Sequence, residues 1–271
     1  MNKLKVPNSL VEISQVGFGC ARLSGGLGLR VSESLIEEAV SFGITHFDTA
    51  PLYGSEKMLG IALKNIPNIT ITSKVGIARQ KISFKSEIIT PIYRNSLRRV
   101  LTYHPILKSK LIKKKSSELL DYSKLIKTPL EQDYILRELE LTLNNLRREY
   151  VDLYLIHEPD FFYITDETVE IFESLKRQRI IGAYGLAYNS SPFMPIKFGS
   201  VLQCRYPQNS LESTVDIDCL KIFHGLIRHS NDSEVDSNPN LIIKNGLLKH
   251  PNSGILFSSS SNKSIREVMT E

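Results

Sequence analysis

Cysteine is scarce. The 271 residues contain three, Cys20, Cys204 and Cys219, and no two form a CxxC pair. A sparse, odd number argues against a disulfide framework or a zinc site and suits a reducing compartment. No apolar run approaches the roughly 20 residues that span a bilayer. The opening MNKLKVPNSLVEIS has two lysines but no continuous apolar core, so no signal peptide is expected. No repeat of fixed period is visible. Together these absences give the expectation of a cytoplasmic protein with no membrane partner and no metal.

The composition is that of a folded chain, with 41% hydrophobic residues and a net charge of +5, which excludes disorder as the main state. Much of the positive charge lies between Lys81 and Lys127, including Lys113, Lys114 and Lys115. A basic balance admits nucleic acid, anionic lipid or a small anion as partner. This one reads as a solvated surface, and no nucleic-acid partner is expected. The length fits two ordinary domains or one α/β barrel, which runs to about 250 residues.

Short apolar runs, polar loops and helical patterns recur in turn, which points to βαβ units and a parallel sheet. Ile13 to Cys20 reads as a strand ending in glycines. Gly17 and Gly19 resemble the start of a dinucleotide fingerprint, but Arg22 stands where its third glycine belongs. Ser34 to Phe42 reads as a helix, with Ser34 and Glu37 as its capping box. Strands are expected at 44–47, 69–73, 151–156, 181–186, 200–204, 220–223 and 255–257. Helices are expected at 55–64, 131–148, 168–179, 241–249 and 262–269. From Ile77 to about Leu130 the pattern weakens, and this stretch reads as an ordered insertion.

Asp48, Lys74 and His157 fall at or just past strand ends, and Tyr53 follows Asp48 by five residues. In a parallel barrel all such ends open on one face. Singly, each has an ordinary structural reading: a helix cap, a solvated lysine, a satisfied histidine, a rim aromatic. Together they suit carbonyl reduction, which needs a hydride at carbon and a proton at oxygen. A phenol ionises only near pH 10, and a nearby ammonium favours its phenolate. Lys74 can supply that charge, Asp48 can orient Lys74, and His157 can hydrogen-bond the carbonyl oxygen.

The segments HFDTAPLYGSEKMLGIAL, ITSKVG, LELTLNNLRREYVDLYLIHEPD and IGAYGLAYNS, in that order, resemble the motifs of the aldo-keto reductases. The resemblance is strong over residues 17–74 and 139–206. It implies one (β/α)8 TIM-barrel domain over residues 1–271. The insertion, about 77–130, would follow the third strand, and the helical segment near Ser213 to Cys219 would be reduced. It implies NAD(P)H-dependent reduction of an aldehyde or ketone, or the reverse oxidation, with Tyr53 as proton donor and Asp48, Lys74 and His157 in the roles above.

The resemblance also implies a cofactor site. Gln203 matches a glutamine that holds the nicotinamide carboxamide, and Phe223 maps to the aromatic that stacks on the ring. ILFSSSSNKSIREVM is similar to the element that holds the adenosine phosphate. Ser258, Ser259, Ser260 and Ser261 offer hydroxyls and backbone N–H groups there. Lys263 and Arg266 suit a 2′-phosphate, so NADPH is expected over NADH. A Ser-Asn pair of the family aligns with Ala187 and Tyr188 and is absent, with Asn189 as a substitute. That departure motivates a second reading, a non-catalytic NADPH-binding sensor or subunit. A third, a cofactor-free barrel lyase using His157 and Asp48, expects no NADPH binding. The substrate is expected to be a small carbonyl compound, anionic or sugar-like on the strength of the basic insertion. The oligomeric state is not legible.

Overall fold

Apolar runs of three to eight residues that alternate with amphipathic helices have one economical arrangement. The strands pair in parallel, and each helix packs back on the sheet. The computed structural model describes residues 1–23, 29–79, 128–160, 164–188, 198–206, 218–227 and 238–270. In it an antiparallel hairpin, β1 (Lys3–Lys5) and β2 (Glu12–Ser14), precedes eight parallel strands. These are β3 (Val16–Gly19), β4 (His46–Asp48), β5 (Thr70–Val75), β6 (Val151–His157), β7 (Ile181–Tyr188), β8 (Val201–Arg205), β9 (Leu220–His224) and β10 (Gly254–Phe257). They pair in chain order, and β10 closes on β3 to complete a barrel. The described helices are α1 (Leu29–Ser41), α2 (Glu56–Ala62), α3 (Gln132–Leu146), α4 (Asp166–Arg177), α5 (Pro239–Lys249) and α6 (Asn262–Met269). The expected (β/α)8 architecture is the one observed.

Strand alternation divides the core into two layers. Leu153 and Leu155 of β6, Ala183 and Ala187 of β7, Val201, Leu220, Ile222 and Leu256 fill the barrel interior. Their neighbours one residue along, such as Tyr154, Ile156, Tyr184, Phe223 and Phe257, pack into the layer beneath the helices. The hairpin plugs one end, because Val6 and Ile13 are fully buried in the interior cluster. Gly17 and Gly19 belong to this packing. A Cβ on Gly17 would lie 2.6 Å from Leu256 Cδ2, and one on Gly19 would lie 2.6 Å from Ser258 Oγ. Packing against β10 and the residue after it therefore accounts for both glycines without any dinucleotide fingerprint.

Several boundaries differ from the sequence reading. The run 13–20 divides: Ile13 belongs to β2, and β3 begins at Val16. Helix α1 begins five residues before Ser34, so Ser34 is not its cap. The Ser34 hydroxyl instead accepts a hydrogen bond from Asn262 Nδ2 at 2.8 Å, joining α1 to α6. Lys74 and His157 lie within β5 and β6 rather than after them. Helix α6 has the expected bounds. Most of the expected insertion, residues 80–127, lies outside the described residues. So do Asn189 and residues 213–217 of the reduced helical segment expected at Ser213 to Cys219.

Candidate active site

The alternation that sends Leu155 and Ile222 inward also directs the next inward residue of each strand to the barrel's C-terminal mouth. Asp48, Lys74, His157, Ala187 and Gln203 are those residues on β4 to β8. They are joined by the register pairs Lys74 with Leu155, His157 with Ala187, and Ala187 with Gln203. Asp48, Lys74, His157 and Gln203 are all buried. Polar groups so placed need partners, because desolvation is otherwise uncompensated.

Lys74 has two. Its Nζ donates to Asp48 Oδ1 at 2.6 Å and to the Thr49 carbonyl at 2.9 Å. The side chains are 1% and 6% exposed, so this is a buried ion pair. Burial pushes the Asp48 carboxyl above its usual range, while Lys74 and a hydrogen bond from Gln203 pull it back. Gln203 Oε1 is buried with no partner among the described residues, so the Gln203 amide N–H is the group that donates to Asp48. A buried acceptor without a partner suits a donor arriving from a ligand, and a carboxamide N–H2 is such a donor. The residues present therefore fit the nicotinamide end of the cofactor.

Tyr53 is carried to this cluster by a short turn. After β4, Ala50 is extended, and Pro51–Tyr53 forms one turn of 3-10 helix with proline at its start. Gly54 closes the turn at φ 66°, a left-handed conformation that glycine adopts without steric cost. Thr49 Oγ1 and Ser55 Oγ share a 2.7 Å hydrogen bond across the turn. Behind it, Glu56 accepts from Ser73 Oγ at 2.9 Å, Thr142 Oγ1 at 2.8 Å, Asn145 Nδ2 at 3.2 Å and Arg79 Nη1 at 2.8 Å. Arg79 Nε also donates to Glu138 Oε2 at 2.6 Å. This network ties the start of α2 to β5 and α3. Lys74 Nζ lies 5.2 Å from the centre of the Tyr53 ring, and the His157 ring lies edge-on to Tyr53 at 5.9 Å.

Two histidines complete the interior. Burial, then Lys74, then His224 hold the His157 pKa well below its usual value, so its imidazole is neutral near pH 7. One ring nitrogen of a neutral imidazole carries a proton to donate. His46, one interior layer below Asp48, meets Thr70 Oγ1 at 3.1 Å and Thr72 Oγ1 at 3.3 Å. Its pKa is lowered to about 3 by burial and Lys74.

The residues expected to hold a cofactor are less uniform. Phe223 does not face the mouth. Its partner in register is Cys204, so it points outward, and its ring packs on Tyr206 at 5.6 Å and His250 at 4.9 Å. Alternation is the cause: Gln203 and Ile222 are the inward pair. Tyr188 is likewise the outward neighbour of Ala187, which leaves only a methyl on the inner face there. Ser259 is spent on its own turn, donating to the Ser261 carbonyl at 2.8 Å and accepting from Ser261 N–H at 3.1 Å. Ser261 caps α6 by accepting from Ser264 N–H at 3.2 Å. Ser258 and Ser260 are exposed. Lys263 is exposed and loosely paired with Glu267 at 3.6 Å. Arg266 is not free for a phosphate: its Nε and Nη2 hold Glu38 of α1 at 2.7 and 3.3 Å.

Sequence reasoning missed the Gln203–Asp48 contact, the approach of His224 to His157, and the Glu56–Arg79 network. Glu56 carried a weak signal, an acid at a helix N-terminus three residues after Tyr53. Arg79 carried none.

Residues 15–194 match the profile of the Aldo/keto reductase family. Among curated relatives, the chain is 28% identical over 190 residues to "Uncharacterized oxidoreductase YqkF" of Bacillus subtilis, covering 69% of this chain and 49% of that protein. It is 28% identical over 214 residues to "Oxidoreductase YdhF" of Escherichia coli, covering 76% and 57%. The chain thus spans about half the length of the curated relatives it matches. Among solved structures, aldo-keto reductase AKR11C1 from Bacillus halodurans, in its holo form, superposes with a TM-score of 0.68 at 18% identity. That match covers 99% of this chain and 90% of that one. The glycerol dehydrogenase AKR11B4 from Gluconobacter oxydans gives 0.64 at 19%, covering 98% and 89%. At these identities the structures speak for the fold.

Proposed function

Because the chain belongs to the aldo/keto reductase family, we propose that it reduces an aldehyde or ketone with NAD(P)H, or runs the reverse oxidation, at the mouth formed by Asp48, Tyr53, Lys74 and His157. The observation that carries this is the Lys74 ammonium, held by Asp48 at 2.6 Å and set 5.2 Å from the Tyr53 ring. A nicotinamide held at Gln203 would supply the hydride that the carbonyl carbon takes up.

The chain's own residues do the rest. Tyr53 gives its phenolic proton to that oxygen and recovers one from water. The ammonium of Lys74 stabilises the phenolate left behind. Asp48 keeps Lys74 charged and aimed. The neutral His157 donates a hydrogen bond to the substrate oxygen and fixes its approach. Gln203 Oε1 would accept from the carboxamide. Ser258, Ser260 and the α6 N-terminus would meet the adenosine phosphate, with Lys263 as a cation in the first turn of α6. Arg266, pinned to Glu38, serves the α1–α6 contact in this reading. NADPH is preferred over NADH on the strength of Lys263, and the chain is read as one domain acting in the cytoplasm.

A second reading, an NADPH-binding subunit without turnover, draws on the Ala187 methyl where a carboxamide partner was expected. NADPH oxidation with a panel of aldehydes and ketones tests the two. Turnover is expected; tight NADPH binding without turnover of any carbonyl would favour the second reading.

A further inference from the structure

We infer that Arg205 is the residue that selects the substrate, by pairing with a carboxylate or phosphate carried on the carbonyl compound. The inference rests on the proposed reduction and names its substrate class. Arg205 is the last residue of β8, two beyond Gln203. Val201 and Gln203 face inward, so alternation sends the Arg205 side chain from the same face, one layer higher at the rim of the mouth. It is exposed, whereas the four residues before it on β8 are buried.

Arg205 makes no ion pair or hydrogen bond among the described residues. The two acids just past His157, Glu158 and Asp160, are engaged with other groups. Its register partner is His224, which acts on His157 closely enough to lower the latter's pKa. Arg205 lies two strands from β6, whose last residue, His157, receives the substrate oxygen. The serines and Lys263 that would receive the cofactor's phosphate follow β10, two strands away. Between Gln203 and His157 the inward residue of β7 is Ala187, a methyl that sets no polar group between the reacting carbonyl and the guanidinium. A guanidinium at such a rim offers a bidentate fork to a planar anion.

The test compares matched substrates in wild type, Arg205→Gln and Arg205→Lys: succinic semialdehyde against butanal, and glycolaldehyde phosphate against glycolaldehyde. In Arg205→Gln the ratio of kcat/KM for the charged member to that for the neutral one is expected to fall on the order of tenfold to a hundredfold, mainly through KM. Arg205→Lys should recover part of it. Succinic semialdehyde should raise the melting temperature of the NADPH-saturated wild type and not that of Arg205→Gln, a readout that needs no turnover. An unchanged ratio with equal thermal shifts overturns the inference and leaves the reductase reading standing. An unchanged ratio with weaker NADPH binding also overturns it, because the anion held is then the cofactor's. A wild type that reduces no carbonyl refutes the proposed function, and the thermal shift still decides the role of Arg205.

Discussion

Replacing Lys74 by Met removes a buried positive charge from the barrel mouth. The side chain it replaces is 1% exposed and donates to Asp48 at 2.6 Å and Thr49 at 2.9 Å. Asp48 then remains as a buried carboxylate, 6% exposed, with Gln203 as its remaining donor. Breaking a buried pair from one side costs about 3–5 kcal/mol, far more than losing a surface pair. Asp48→Asn should be costly for the opposite reason, since it leaves a buried ammonium beside a neutral amide. The double variant leaves no charge stranded and retains an acceptor for Gln203. Its destabilisation should fall short of the sum of the two by about 2 kcal/mol or more, within the usual range for contacting residues. Urea midpoints followed by far-UV circular dichroism measure all three. Costs that add to within about 0.5 kcal/mol would show that the two groups are not coupled and would refute the ion-pair reasoning.

Two other perturbations follow from the same interior. His46 has a folded-state pKa of about 3 against an ordinary 6.5. As pH falls through 6.5 the unfolded chain takes up a proton that the folded one refuses, so stability declines, by up to about 1.4 kcal/mol per pH unit from this group, until the folded pKa is reached. His46→Gln should flatten the dependence of the urea midpoint between about pH 6.5 and pH 4 by about that slope; an unchanged slope would contradict a neutral buried His46. At Gly60 of α2 a Cβ would lie 2.7 Å from the Leu146 carbonyl, backbone that cannot move aside. Gly60→Ala should therefore destabilise by about 1–3 kcal/mol, and a variant with wild-type thermal stability would show that α2 and α3 pack less closely than this.

The apolar runs at 151–156 and 181–186 made the parallel barrel legible, because a strand buried on both faces is apolar almost throughout. The ordered positions of Asp48, Tyr53, Lys74 and His157 were legible for a related reason: chemistry placed at strand ends leaves its residues beside apolar runs. What was not legible depends on side-chain direction. Phe223 sat at the expected distance from its neighbours in sequence, but only the register with Cys204 reveals that it points outward. Ser34 with Glu37 has the pattern of a capping box, yet the helix had already begun, and the hydroxyl serves Asn262, 228 residues away. Arg266 resembled a phosphate ligand until Glu38, also distant in sequence, was found holding it.

The central claim is that Tyr53 delivers the proton. Steady-state NADPH oxidation with an aldehyde that the wild type reduces, repeated with Tyr53→Phe, tests it most directly, with NADPH affinity measured in parallel from cofactor fluorescence. The account expects kcat to fall on the order of a hundredfold to ten-thousandfold, with NADPH affinity changed by no more than about threefold, since the phenol is not assigned to hold the cofactor. A Tyr53→Phe enzyme that keeps most of its turnover would contradict it.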